Sequence, residues 1–253
     1  PPYRGLAEAG LARITGFEPQ QDTVVIGPAE THLPYAVGNG KGVTFRTCAY
    51  SGWSSTLKPD ASTLNLFRQF ATSAEVIGEE RMKTHRLDDI AEIERIDMLK
   101  IDIQGGELAV FRHGEKKLTD AVFIHTEAAF IPLYEGQPSF GEIDVALRKQ
   151  GFVAHSFYHI KRSIIHPFQL SGDPWKSLNQ LLDGDIVYVR DFRNPDELDI
   201  RQVKAMGLIA HACYDSWDLA YYCLDHLVTR GVLQQESLGR YLNLVNRIMA
   251  ARS

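Results

Sequence analysis

At 253 residues, with 44% hydrophobic and 23% charged side chains, the chain is long enough for a large core and has the balance of an ordinary globular protein. A formal net charge of -5 argues against nucleic-acid binding, which needs a basic face, and no apolar run approaches the roughly 20 residues that cross a bilayer. Cys48, Cys213 and Cys223 are odd in number and lack metal-ligand spacing, so reduced thiols in a cytoplasmic protein without a signal peptide are expected.

Taken in chain order, Leu6 to Ala9 is helix-like and stops at Gly10, and residues 13–17 follow as a short strand. Residues 31–37 read as a second strand, ended by Gly38-Asn39-Gly40, and residues 43–50 as a hairpin arm that turns at Ser51-Gly52. Residues 96–103, 121–127, 152–158 and 185–190 complete the strands. Between them, Leu108 and Phe111 share one face of a short helix closed by Gly114. Ser139 and Glu142 have capping-box spacing ahead of Ile143 and Leu147, with Gly151 as the stop. Asn194-Pro195 breaks the pattern, and residues 196–251 read as three amphipathic helices, Ser216 and Gly231 bounding the middle one. The alternation of strand and helix predicts a mostly parallel α/β sheet over residues 1–193, with a three-helix appendage over 194–253.

The stretch Ile96-Asp97-Met98-Leu99-Lys100-Ile101-Asp102-Ile103-Gln104-Gly105-Gly106-Glu107 carries the most chemistry. It reads as a buried strand that emerges at Asp102 and turns on two glycines into a helix. Ligands of open α/β sheets bind beyond the carboxyl ends of the strands, which makes Asp102 a candidate for chemistry. The same residue could instead cap the helix or pair with Lys100, and the residues alone leave both readings open. Glu127 ends the next strand, so two carboxylates at one sheet edge suit general-base work or a divalent ion, although no spacing demands a metal. His125 has the parity of Glu127 and also reads as a satisfied core histidine; His155 and His159 lie on or after the following strand.

Glu18, in Gly16-Phe17-Glu18-Pro19, closes a strand with an acid, where nucleoside-binding sheets hold ribose hydroxyls; it equally reads as a surface acid. Ser54 and Ser55 sit in a hydroxyl-rich turn that can serve a ligand or its own backbone. No phosphate-binding loop, nucleophile elbow or Cys/His cluster is present.

In order, Gly16-Phe17-Glu18-Pro19, Val37-Gly38-Asn39-Gly40, Ser54-Ser55, Arg86-Leu87-Asp88-Asp89 and the 96–108 stretch resemble motifs of the FkbM-type family of S-adenosylmethionine-dependent methyltransferases. The last is similar to the family's hydrophobic-Leu-Lys-Ile-Asp-Val-Glu-Gly-Ala-Glu hallmark. The resemblance implies a seven-stranded, Rossmann-like class I methyltransferase sheet, S-adenosyl-L-methionine across its carboxyl edge, and O-methylation of a sugar, glycan or natural-product hydroxyl. By position it places Glu18 and Pro19 at the cofactor ribose and Val37, Gly38 and Asn39 near the adenine. Ser55 and Gln104 join the cofactor site, and Asp102 faces its methionine end or the reacting methyl group. As base, Asp102 comes first, then Glu127, then His125.

Two positions depart from the family pattern: Gln104 stands where an acid precedes the first glycine, and Asn39 where an acid is more usual. The first strand and its Gly-rich turn have no counterpart, residues 1–12 reading as the helix after them. Either the sequence starts partway through a longer protein or the cofactor site is broken. The second case favours a non-catalytic, methyltransferase-like scaffold, docking a protein partner or a second copy through the C-terminal helices. An oxidoreductase would need a dinucleotide glycine fingerprint that is absent. The acceptor, a small molecule or glycan, is unnamed by the sequence, though the 129–138 loop, Tyr134, Gln137 and Trp175 stand where they could shape its pocket.

Overall fold

A computed structural model describes residues 1–19, 24–27, 29–173 and 175–252, and the chain divides into two compact units, Pro1–Pro34 with Asp191–Ser253, and Tyr35–Arg190. The first unit opens with helix α1 (Arg4–Glu8). Gly10, at φ 68°, lets the Leu11 N–H reach back to the Leu6 carbonyl at 2.8 Å, a left-handed turn that satisfies the helix end. Strands β1 (Ile14–Phe17), β2 (Val24–Gly27) and β3 (Glu30–Leu33) form a sheet in the order β1-β3-β2, with β1 parallel and β2 antiparallel to β3. Gly16 fits there because a Cβ would come within 2.7 Å of the His32 ring.

The strand expected over residues 31–37 is two strands. Pro34 has no N–H to offer a ladder, β3 ends just before it, and β4 (Ala36–Val37) begins a different sheet in the second unit. In that sheet β5 (Gly42–Cys48) does not fold back across Ser51-Gly52 as a full hairpin. Arg46 and Ser55 make a single two-bond bridge, and helix α2 (Ala61–Leu66) intervenes. The partner of β5 is β6 (Val76–His85), antiparallel, while β4 runs parallel to β6 on its other side. Exposed Glu79, Glu80, Arg81 and Lys83 hide β6 from any reading based on apolar runs.

The larger sheet of this unit has the order β7-β8-β10-β9. Strand β7 (Met98–Ile101) crosses through helices α3 (Glu107–Arg112) and α4 (Glu115–Leu118) to a parallel β8 (Phe123–Ala129). Helix α5 (Phe140–Lys149) starts at Ser139 with the expected capping box to Glu142. Strands β9 (Phe152–Ser163) and β10 (Gln180–Arg190) are antiparallel neighbours, and β10 also runs antiparallel to β8. Val122, Phe123, Ile124, Ile186, Val187, Tyr188 and Val189 are fully buried at its centre, each large side chain contributing roughly 1.5–3 kcal/mol. Arg190 secures the far end of β10 by donating to the Ala121 carbonyl at 3.0 Å and the Leu118 carbonyl at 2.6 Å.

Among the described residues three strand pairings are parallel and four antiparallel, so the sheets are mixed rather than mostly parallel. Strand β10 follows β9 with no crossover helix among the described residues, and β3 follows β2, each beside its antiparallel partner, while β5 reaches its antiparallel partner β6 through the short α2.

A second core gathers Trp53, Phe67, Phe70, Tyr134, Leu133 and Leu182 beneath the loops at the carboxyl edge of β8. After Arg190 the chain returns to the first unit as α6 (Ile200–Tyr214), α7 (Trp217–Thr229) and α8 (Glu236–Arg252). Asp199 and Gln202 cap α6 reciprocally, while Val203, Met206, Ala210, Leu219, Ala220, Cys223, Leu227 and Leu238 supply the buried faces. All three cysteines are free thiols. No helix of the described residues is long and apolar enough to cross a membrane.

Candidate active site

The turn from β7 into α3 is built from strained backbone. Gln104 has φ 55° and Gly105 φ 103°, and a left-handed glutamine costs roughly 1–2 kcal/mol. Side chains hold it there. The Ser55 hydroxyl donates to the Gln104 carbonyl at 2.7 Å while accepting the Leu57 N–H at 2.9 Å. Glu107, the first residue of α3 and only 3% exposed, turns back to accept the N–H groups of Ile103 at 2.8 Å and Gly105 at 3.0 Å. Gly105 is required for space as well, since a Cβ would lie 2.7 Å from Leu57 Cδ1.

Parallel pairing of β7 with β8 sets Ile101 opposite Thr126, so the next residues, Asp102 and Glu127, come level at the sheet edge. Gln104 joins them: its Nε2 donates to Asp102 Oδ1 at 2.8 Å and to Glu127 Oε2 at 3.0 Å. Tyr134 Oη sits 3.1 Å from Gln104 Oε1 and 3.0 Å from the Trp53 carbonyl, with one hydrogen to share between them. One oxygen each from Asp102, Glu107 and Glu127 lies within 4.8 Å of the others. Asp102 is exposed, Glu127 half-buried and Glu107 buried.

Such crowding makes ionisation costly. Burial, and then the Asp102 carboxylate, push the Glu127 carboxyl up to about 9, with Asp183, Glu107 and Asp185 adding to the effect. Burial pushes Glu107 up to about 7 against the pull of its backbone donors. Tyr134 is raised by burial above the ordinary phenol range. On β10, burial raises Asp183 despite Lys161 Nζ at 3.4 Å, whereas Asp185 is lowered chiefly by the His125 ring beside it.

The structure brings together Ser55, Asp102, Gln104 and Glu127 of the residues expected from the sequence. His125 stands beside them: only 1% exposed, it has Nε2 3.8 Å from Asp185 Oδ1 and its ring 5.1 Å from that of Tyr158. Asp185 pairs across the strands with Glu127 itself. Val37, Gly38 and Asn39 lie in the same unit, tied to the end of β6. Gly38 N–H donates to the His85 carbonyl at 2.8 Å, a Cβ on Gly38 would meet Thr84, and Asn39 Oδ1 accepts the Lys41 N–H at 3.0 Å. Glu18 and Pro19 belong to the first unit, where the Glu18 N–H extends the β1 ladder to the Leu33 carbonyl at 2.9 Å.

Sequence reasoning missed Asp183, Asp185 and Glu107 as members of the carboxylate group. An alternating Asp183-x-Asp185 pattern was the available signal for the β10 pair, but only the antiparallel register places it against Glu127. Glu107 resembles an ordinary first-turn helix acid until its burial is seen.

Comparison with known proteins matches residues 3–154 to the Methyltransferase FkbM domain, a span that holds Glu18, Ser55, Asp102, Gln104 and Glu127. The 2-O-methyltransferase NoeI of Sinorhizobium fredii (strain NBRC 101917 / NGR234) is 44% identical over 59 residues, 22% of this chain and 24% of that protein. The match thus spans about a quarter of that relative's length. No solved structure matches the chain. With more than half of its residues inside that domain, and a glycine turn carrying Asp102 at its strand exit, the chain belongs to the FkbM methyltransferase family.

Proposed function

We propose that this protein is an S-adenosylmethionine-dependent O-methyltransferase acting on a hydroxyl of a sugar, glycan or natural product. One observation carries the reading: in a chain of the FkbM family, an exposed Asp102 carboxylate leaves β7 joined through Gln104 to Glu127. The name of NoeI, a 2-O-methyltransferase, supports oxygen as the acceptor atom. The β7-β8-β10-β9 sheet, with its helical crossover and reversed β10, is compatible with part of the Rossmann-like class I arrangement.

The donor set fits a cationic cofactor, because the exposed Asp102 carboxylate, with carboxyl oxygens of Glu107 and Glu127 within 4.8 Å, stands where a sulfonium or an ammonium group would be held. When bound, S-adenosylmethionine supplies a methyl group on an electrophilic sulfonium. The protein then has to place an acceptor hydroxyl in line, worth up to roughly 7–11 kcal/mol, and take its proton, worth roughly 10²–10⁴-fold. Asp102 is the base in this reading. Glu127, pushed up to about 9, keeps its proton at neutral pH and suits a hydrogen-bonding role. His125 orients Asp185 rather than meeting the acceptor. Hydrogen bonds from Glu18, beside Pro19, to the ribose, and a place for Val37, Gly38 and Asn39 near the adenine, are proposed on the family resemblance.

Calorimetry with S-adenosylhomocysteine tests the reading, followed by a screen of nucleotide sugars and glycans with isotopically labelled methyl donor. Saturable binding is expected, weakened about tenfold in Glu18→Ala by loss of a hydrogen bond to a charged group. No binding by the wild-type protein would favour the scaffold reading; unchanged affinity in the variant would remove Glu18 from the site.

A further inference from the structure

We infer that Gln104 is a positioning residue: one amide nitrogen gives a hydrogen to Asp102 and a hydrogen to Glu127, setting the distance and orientation of the two carboxyl groups. The inference deepens the methyl-transfer reading and rests on it for its consequence in catalysis, though not for its geometry.

The geometry is tightly determined. Carboxylate oxygens accept hydrogen bonds, so the nitrogen end of the amide faces Asp102 and Glu127, at 2.8 and 3.0 Å, and the oxygen end faces Tyr134 Oη at 3.1 Å. With Ser55 bound to its carbonyl at 2.7 Å, Gln104 is engaged by four separate partners. Its side chain therefore has no free donor for a ligand, and its contribution is to the arrangement of Asp102. A glutamate at this place has nearly the same shape but brings acceptors in place of donors. It would add a further negative charge to a group already holding Asp102, Glu107, Glu127, Asp183 and Asp185.

Electrostatics support the same assignment. Glu127 is raised to about 9 by burial and by Asp102. The groups acting around it come from every side: Glu107 on α3, Asp183 and Asp185 on β10, and Tyr134 on the loop after β8. Lys100 on β7, His125 on β8, and His159 and Lys161 on β9 act on the β10 pair. Within that surrounding the Gln104 amide makes the contact between Asp102 and Glu127 specific, so the protonation of one answers to the charge of the other.

The test follows the Glu127 carboxyl carbon by NMR titration of the whole protein labelled at glutamate Cδ, with Glu127→Gln assigning the signal. In the protein that keeps Gln104, Asp102→Asn lowers the Glu127 midpoint by about one pH unit or more, through loss of a neighbouring charge. In Gln104→Met, of similar shape but without the amide, the same Asp102→Asn change has less than half that effect, because the carboxyl groups drift apart. Gln104→Glu moves the midpoint upward by about one unit or more. An Asp102→Asn shift of equal size in the wild-type and Gln104→Met backgrounds, or an unmoved midpoint in Gln104→Glu, overturns the inference. Thermal unfolding identifies a variant that fails to fold, and the remaining isosteric variant then decides alone. Calorimetry with S-adenosylhomocysteine separates this result from the function: coupling without binding defeats the transferase reading only, and binding without coupling defeats the role of Gln104 only.

Discussion

Two turns of the Tyr35–Arg190 unit leave strands through glycine, and they are built very differently. At Val37–Lys41 the partners come from one place, the end of β6, with Thr84 filling the space that Gly38 leaves and Asn39 closing on Lys41 two residues along. The turn from β7 into α3 is instead held by Ser55, Glu127 and Tyr134, three side chains from three other segments, and by the buried Glu107 of its own helix. A turn secured by the one strand beside it needs only that strand's pairing. One secured by side chains from several segments, with buried carboxyl groups and the Tyr134 hydroxyl beside it, holds strain and desolvation that a plain connection does not need, and these fit the catalytic role proposed for it.

The sharpest way to break this contrast is activity. With an acceptor from the glycan screen, Asp102→Asn lowers turnover by roughly 10²–10⁴-fold while leaving S-adenosylhomocysteine affinity nearly intact; Asn39→Ala changes turnover far less. Equal losses measured in steady-state kinetics would erase the difference between the turns.

Stability gives a smaller effect. Gly105→Ala must fit a Cβ 2.7 Å from Leu57 Cδ1 at φ 103°, costing about 2–4 kcal/mol. Gly40→Ala, at φ 83° with its Cβ 3.0 Å from the flexible Arg86 Cγ, costs only about 1–2 kcal/mol. Urea unfolding midpoints at constant m-value measure both.

The last effect is on pH. Glu107 titrates near 7 in the folded protein, above its ordinary value of 4.5. Between those values the native state holds a proton that the unfolded chain has lost, so stability falls as pH rises from about 4.5 to 7. The loss is on the order of 2–3 kcal/mol, and Glu107→Gln removes it from that window. Glu127 extends the decline toward about 9, and Glu127→Gln removes the upper part. No comparable slope attaches to the Val37–Lys41 turn, so unfolding curves across pH that are flat in the wild-type protein would contradict this account.

Much of the framework was legible because local chemistry announces itself. The capping box at Ser139 and Glu142, the stops at Gly10, Gly151 and Gly231, and the apolar run into Asp102 all depend on residues close in sequence. Strand β6 was not legible, since its outward charges leave no apolar run, and the direction of β10 could not be read because antiparallel and parallel partners both bury Val and Ile. In the site, Asp102 was visible at its strand exit, while Glu127, read as ending its strand, lies two residues inside β8. Their linkage was not visible: it requires Gln104 in a left-handed conformation, which no propensity predicts, and it draws in Tyr134 from the loop after β8.

Tyr134 ties the Gln104 bridge to the interior. Its ring is packed 5.9 Å from Trp53, which is 5.4 Å from Phe70, while its hydroxyl reaches the amide that spans the two acids. A hollow opened in the core around that stack, for instance by trimming the buried Phe67, would let the ring settle inward and drag on the bridge. Under the proposed activity, selection for a sturdier interior and selection for turnover act on the same few side chains.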